Sequence, residues 1–374
     1  MHQQAGAVAP RTTAGSSSSR PRMRAPRNLP KALGALALVA AGTFATIGRG
    51  AELAPAPTAE DRVWQLGEPS APAENQPNRA RIELGRALFF DPRLSGNGTV
   101  SCASCHNPGL GWSDGLPTGV GINGSVLGRA TPTIVNTVYN TQFMWDGRKK
   151  SLEDQALGPM KTPEEMKTDF GAALELLKRM PGYQAMFQAA YPGESIAEET
   201  IAKAIASFER TVVSNDSRFD LWVAGDRSAI SMREWRGYQV FMDSAKGNCV
   251  VCHRPPNFTD NGYHNIGIAH APGKEDLGRY KIRPAAVLKG AFKTPTLRDI
   301  ELTAPYFHNG SAATLEDVVE HYARGGDDQS NLSADMHKLS LTESEKADLV
   351  AFLRTLTGSR KTVNLPALPQ QALR

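Results

Sequence analysis

Apolar positions along this chain gather into a few amphipathic stretches separated by long irregular runs. Ile201, Ile205, Phe208 and Val212 recur at helical spacing, as do Leu349, Phe352, Leu353 and Leu356, so each set predicts a helix with one buried face. The second set also carries boundary signals, a capping box from Thr342 to Glu345 and a terminating Gly358. Upstream, two shorter helical patterns share a signature, Gly85-Arg-Ala-Leu88-Phe89 and Gly237-Tyr-Gln-Val240-Phe241, which is a weak internal repeat. Elsewhere Gly and Pro are frequent, and no alternating pattern is sustained enough to build a large sheet. The expected fold is mainly α, with two helical modules over about 76–225 and 226–365. Their long irregular loops need some additional body to pack against.

The longest apolar run, Ala32 to Ile47, has a different meaning. It follows a Ser/Arg-rich stretch and runs into small residues near Ala45 and Ala51, which predicts a secretory signal within residues 1–51 and a periplasmic protein. The run is too short for a full membrane span, and an uncleaved N-terminal anchor is the alternative. Residues 52–75, Pro-rich and charged, are expected to form a poorly ordered lead-in, and residues 366–374 a tail. The formal charge is +4, but seven basic residues precede the first acidic one, Glu52; without them 35 basic side chains face 38 acidic ones. Nucleic-acid binding has no electrostatic footprint in such a balance.

There are four cysteines, in two copies of one motif: Cys102-Ala-Ser-Cys105-His106 and Cys249-Val-Val-Cys252-His253. This spacing lets two thiols attach to the two vinyl groups of a haem while the following imidazole ligates the iron. A zinc site would need further Cys or His pairs nearby, and a thioredoxin-like site a strand-helix context without the fixed histidine. Two covalently bound haem c groups are therefore expected, and they supply the body that the loops wrap. Two haems permit two tasks, because axial ligation and burial can separate their potentials.

From about Arg79 to Gly358 the chain resembles the di-haem cytochrome c peroxidase and MauG family. The resemblance is carried by ELGRALFFDPRLSGNGTVSCASCH, MWDGRKKSLEDQALGPMKTPEEM, FKTPTLRDIELTAPYFHNGSAATLEDVV and ADLVAFLRTLTG. It implies two cytochrome c-like helical domains, an N-terminal peroxidatic haem and a C-terminal electron-transfer haem. Trp145 would lie between the haems. Gln155 and Glu165 would stand over the open face of the first, the carboxylate moving a proton between the peroxide oxygens and the amide orienting the ligand. Pro159 matches a packing residue of that pocket. The resemblance further implies a calcium ion held by the Asn136 side chain and the carbonyls of Thr303 and Pro305, an oxygen set suited to a hard cation.

The chain departs from the typical peroxidases of the family at two positions. Ile122 occupies the place of a histidine that closes the first haem in the resting oxidised state, and no histidine lies between His106 and His253. The aligned sixth ligand of the second haem is Tyr322 in place of methionine, with Met336, His337 and His321 as competitors. The expected function is peroxide reduction, with electrons from a small exported donor, a cytochrome c or a copper protein. A MauG-like oxidase acting on aromatic residues of a partner protein is the alternative. A non-enzymatic electron carrier is a third reading, which would have no use for a polar pocket formed by Gln155 and Glu165.

Overall fold

The computed structural model describes residues 52–270, 273, 275–359 and 362–370; the expected signal or anchor falls outside them. Ten α-helices occur among the described residues: α1 Arg79–Phe90, α2 Cys102–Cys105, α3 Leu152–Lys161, α4 Phe170–Arg179, α5 Pro181–Ala190, α6 Glu198–Glu209, α7 Arg218–Val223, α8 Met232–Met242, α9 Leu315–Arg324 and α10 Glu343–Arg354. The only sheet among them is one antiparallel pair, β1 Tyr263–His264 and β2 Phe292–Lys293.

The weak sequence repeat has a physical cause. Helix α1 crosses α6, and α8 crosses α10, with backbone touching backbone at Gly85 and Gly237. A Cβ added at Gly85 would lie 1.9 Å from the Ala204 carbonyl oxygen, and one added at Gly237 would lie 1.9 Å from that of Asp348. The crossings seed two cores. Leu84, Leu88 and Phe89 meet Ile201, Ile205 and Phe208 in the first. In the second, Phe241 and Phe258 meet Leu349, Phe352 and Leu353. The predicted faces of α6 and α10 are thus the buried ones.

The module boundaries differ from expectation. Helix α7, assigned by sequence to the first module, sends Phe219, Trp222 and Val223 into the second core. The supposed poorly ordered lead-in is packed: Ala54 and Trp64 are buried in that same core. The Trp64 indole donates to the Tyr238 hydroxyl at 3.1 Å, and Trp222 and Arg227 donate to the carbonyls of Pro55 and Ala54. Further along, buried Asn75 donates to Glu153 and to the Lys203 carbonyl in the first module. Isolated apolar residues among prolines carry no periodic signal, yet they fill holes that distant aromatics leave. In the tail, Leu368 packs on the first core and the Pro369 carbonyl accepts from Arg93 at 3.0 Å.

Candidate functional site

Each Cys-x-x-Cys-His motif folds into a tight turn that presents its histidine. The backbone N–H of His106 donates to the Cys102 carbonyl, and that of His253 to the Cys249 carbonyl. Nδ1 of His106 then bonds the Trp112 carbonyl at 3.1 Å, and Nδ1 of His253 bonds the Phe258 carbonyl at 2.9 Å. Donation from Nδ1 fixes the tautomer that leaves the Nε2 lone pair for a metal. Burial lowers both imidazole pKa values, that of His253 to about 4, so both rings stay neutral. All four cysteines are unpaired. Burial pushes the Cys105 thiol up to about 11, with the carboxylates of Asp114 and Glu165 adding to the shift.

Both motif histidines line one continuous cavity that is open in part to solvent. Its walls are largely apolar, including Ile134, Leu152, Phe241, Leu297 and Leu349. Two unpaired thiols, a neutral imidazole and an apolar wall at each end form a donor set that fits a covalently bound haem at each motif.

The two ends share one scaffold. Thr131-Pro132-Thr133 and Thr294-Pro295-Thr296 lie 163 positions apart and make matching bonds. The Thr131 carbonyl accepts from Ser113 at 2.9 Å, and that of Thr294 from Thr259 at 2.7 Å. Thr133 donates to the Gly111 carbonyl, and Thr296 to that of Asn257. The same register pairs Met144 with Phe307, both at φ 70°, and the helix caps Ser151 and Thr314. It also pairs Trp145 with His308. The Ala130 N–H donates to the His308 carbonyl at 2.7 Å, while the N–H of Lys293, the counterpart of Ala130, donates to the Trp145 carbonyl at 2.8 Å. These reciprocal bonds join the two halves where they meet.

On this shared frame, Gln155 corresponds to Val318 and Pro159 to Tyr322. Phe208 and Phe352 abut the two crossing glycines in the same way, so the next residues, Glu209 and Leu353, correspond too. Gln155 and Glu209 line the cavity in the first half, Val318 and Leu353 in the second. Glu209 is 4% exposed, its Oε2 has no hydrogen-bond partner, and burial raises its pKa to about 8.

Among the sequence-predicted residues, Trp145 and Gln155 line the cavity. The Trp145 indole donates to the Ala130 carbonyl at 2.8 Å, and the Gln155 amide reaches Met144 Sδ at 3.8 Å. Glu165 is not among the lining residues; it stands beside Cys105, its pKa raised by burial. Ile122 is buried, and its N–H donates to the Glu165 carbonyl at 2.7 Å. The loop around it is closed by bonds from Gly119 to Arg129, Gly121 to Ser125 and Leu127 to Gly119.

Tyr322, Met336 and His337 all line the cavity. Burial pushes the Tyr322 phenol well above its ordinary value, with Cys252 and Cys249 adding to the shift. His321 is a poor competitor, because Asp327 and the Ile266 carbonyl occupy its two ring nitrogens. Thr303 and Pro305 border the cavity, but Asn136 does not. Its fully buried carboxamide accepts from the Ser214 N–H and donates to the Ser214 carbonyl, each at 2.9 Å.

Sequence reasoning missed Glu209, His308 and Lys293. The Thr-Pro-Thr repeat was the available signal for the last two, since it aligns Lys293 with Ala130 and His308 with Trp145.

A family model described as di-haem cytochrome c peroxidase matches residues 79–228. The chain is 44% identical to the methylamine utilization protein MauG of Methylorubrum extorquens, over 80% of this chain and 84% of that one. It is 38% identical to the cytochrome c551 peroxidase of Nitrosomonas europaea, over 82% and 89% respectively. Among solved structures it resembles a MauG-like protein associated with microbial copper homeostasis, with TM-score 0.74 and 33% identity, covering 78% of this chain and 93% of that one. The di-haem peroxidase BthA of Burkholderia thailandensis is similar at TM-score 0.69 and 25% identity, covering 83% and 94%.

Proposed function

The chain belongs to the di-haem cytochrome c peroxidase and MauG family, and from that premise we propose that it reduces hydrogen peroxide at the haem on Cys102 and Cys105. Cys249, Cys252 and His253 would hold a second haem, which would supply the first with electrons. The observation that carries the assignment is the polarity difference between corresponding wall positions, Gln155 and Glu209 against Val318 and Leu353. When bound, the haems supply the redox chemistry that cleaves the peroxide bond. The protein's part is to orient and to move protons. His106 and His253 hold neutral Nε2 atoms toward the cavity. Gln155 offers both a donor and an acceptor to a small polar ligand, and Glu165, beside Cys105, is assigned the proton shuttle. Trp145, fixed at its indole nitrogen and at its carbonyl, occupies the junction as an electron relay.

Tyr322 is assigned as sixth ligand of the second haem, with Met336 and His337 as the remaining competitors. Pro159, its counterpart in the first half, has no side-chain donor atom with which it would hold a second haem position. The donor is a small exported redox protein, and residues 1–51 are assigned to export or anchoring. A calcium ion is assigned to the Asn136 side-chain oxygen, which keeps a second lone pair beside its bond from Ser214, and to the carbonyls of Thr303 and Pro305.

The MauG-like reading, oxidation of aromatic side chains on a partner protein, is favoured by two observations. Ile122 stands where a blocking histidine would be, and Tyr322 is an oxygen donor that stabilises ferric iron relative to a thioether. Turnover of the two-haem protein with peroxide and a reduced cytochrome tests the main assignment, and absence of turnover would remove it. Electron paramagnetic resonance of the oxidised protein should show one high-spin and one low-spin haem. Tyr322→Phe should alter only the low-spin signal; an unchanged spectrum would move the ligand to Met336 or His337.

A further inference from the structure

Lys293 is the one lysine or arginine among the described residues lining the cavity. It lies on β2 and is 9% exposed. Its ammonium donates to the Thr294 carbonyl at 2.8 Å, an oxygen that already accepts from Thr259. That bond is its whole hydrogen-bonded pairing among the described residues, so two of its three N–H donors are unmatched. Asp260 is the carboxylate whose charge reaches it, but Asp260 is committed to His264 at 2.8 Å and to the Gly262 N–H at 2.7 Å. A buried cation facing a neutral carbonyl is unfavourable unless an anion joins it. Burial accordingly lowers the Lys293 pKa to about 8.

The surroundings identify the anion. Lys293 leads directly into Thr294-Pro295, and the Pro295 carbonyl faces His253. The corresponding residue of the first half, Ala130, carries no charge. Because the vinyl groups are the ones consumed in attachment, haem c keeps two propionate carboxylates. We propose that Lys293 receives a propionate of the second haem and thereby raises that haem's reduction potential; this rests on the two-haem reading above. His264 does not compete, because Asp260 already balances its charge.

The test is spectropotentiometry of the two-haem protein, with haem counted by pyridine haemochrome. Lys293→Met should keep two haems. It should shift the reduced-to-oxidised ratio of the second haem about tenfold toward the oxidised form at fixed potential, a lowering of about 59 mV for a one-electron couple. Lys293→Arg should stay close to wild type, and the first haem should move little in either variant. If the Met variant does not accumulate, Lys293→Gln is to be read against the same expectation. An unshifted second haem in a fully loaded neutral variant, or a larger shift in the first haem, would overturn the proposal. Fewer than two haems in the wild type would instead remove the two-haem reading beneath it.

Discussion

In the first half of the cavity, α3 and the end of α6 contribute Gln155 and Glu209; in the second, α9 and α10 contribute Val318 and Leu353. Behind these walls the halves are near copies, with the same helix crossing at a glycine, the same Thr-Pro-Thr carbonyl clasp and the same imidazole held at Nδ1. The contrast teaches that chemistry here is assigned by a few side chains on a duplicated frame. Pro159 against Tyr322 decides whether the position carries a phenol oxygen. Ala130 against Lys293 decides whether the wall carries a buried charge. The second exchange leaves the backbone bonds that pair the halves undisturbed, because Ala130 and Lys293 both donate their N–H in the same way.

Four experiments probe this comparison. The largest effect is expected from Trp64→Ala, which removes a stacked aromatic from the second core, 4.2 Å from the Phe258 ring centroid. It should cost about 3–5 kcal/mol in denaturant unfolding. A neutral outcome would detach the lead-in from the second half. Next, Gln155→Val combined with Glu209→Leu rebuilds the first wall in the image of the second. Peroxide turnover should fall about a hundredfold or more, the usual scale of acid/base assistance, with both haems retained. Unchanged turnover would show that the polar wall is not what separates the halves.

Gly85→Ala and Gly237→Ala should each destabilise the fold by about 1–3 kcal/mol, since the added methyl meets a helix carbonyl that has no room to yield. Unequal thermal shifts would mean the two crossings are less alike than their geometry. The last test concerns pH. Burial raises the Glu209 pKa to about 8, so between the ordinary carboxylate range and pH 8 the unfolded chain has lost a proton that the folded chain keeps. Stability should fall with rising pH across that window, by at most about 1.4 kcal/mol per pH unit, and level off above it. Glu209→Gln should flatten the slope.

Helices α1, α6, α8 and α10 and both motifs were legible in the sequence because periodicity and spacing are local signals. Gln155 and Trp145 were legible through family resemblance, and the structure places both on the cavity wall. The packed lead-in was not legible, because Ala54 and Trp64 are single apolar residues whose burial depends on partners such as Tyr238 and Phe258, far along the chain. Glu209 escaped for a related reason. At the polar end of α6 it reads as an ordinary helix-terminal carboxylate, and only the helix crossing shows that this end is buried.

The two ends of the described residues cross over. Residues near Trp64 sit in the second half, where Arg298, itself 1% exposed, donates to the Trp64 carbonyl across a separation of 234 residues. The Pro369 carbonyl meets Arg93 in the first half across 276. The segment around Trp64 therefore lacks its full seat until the chain has been made as far as Arg298, and loop closures of that length are slow. Until then the second core stands open at the site Trp64 will fill. A chain shortened before Arg298 should be left with its N-terminal segment unseated and accessible to proteases.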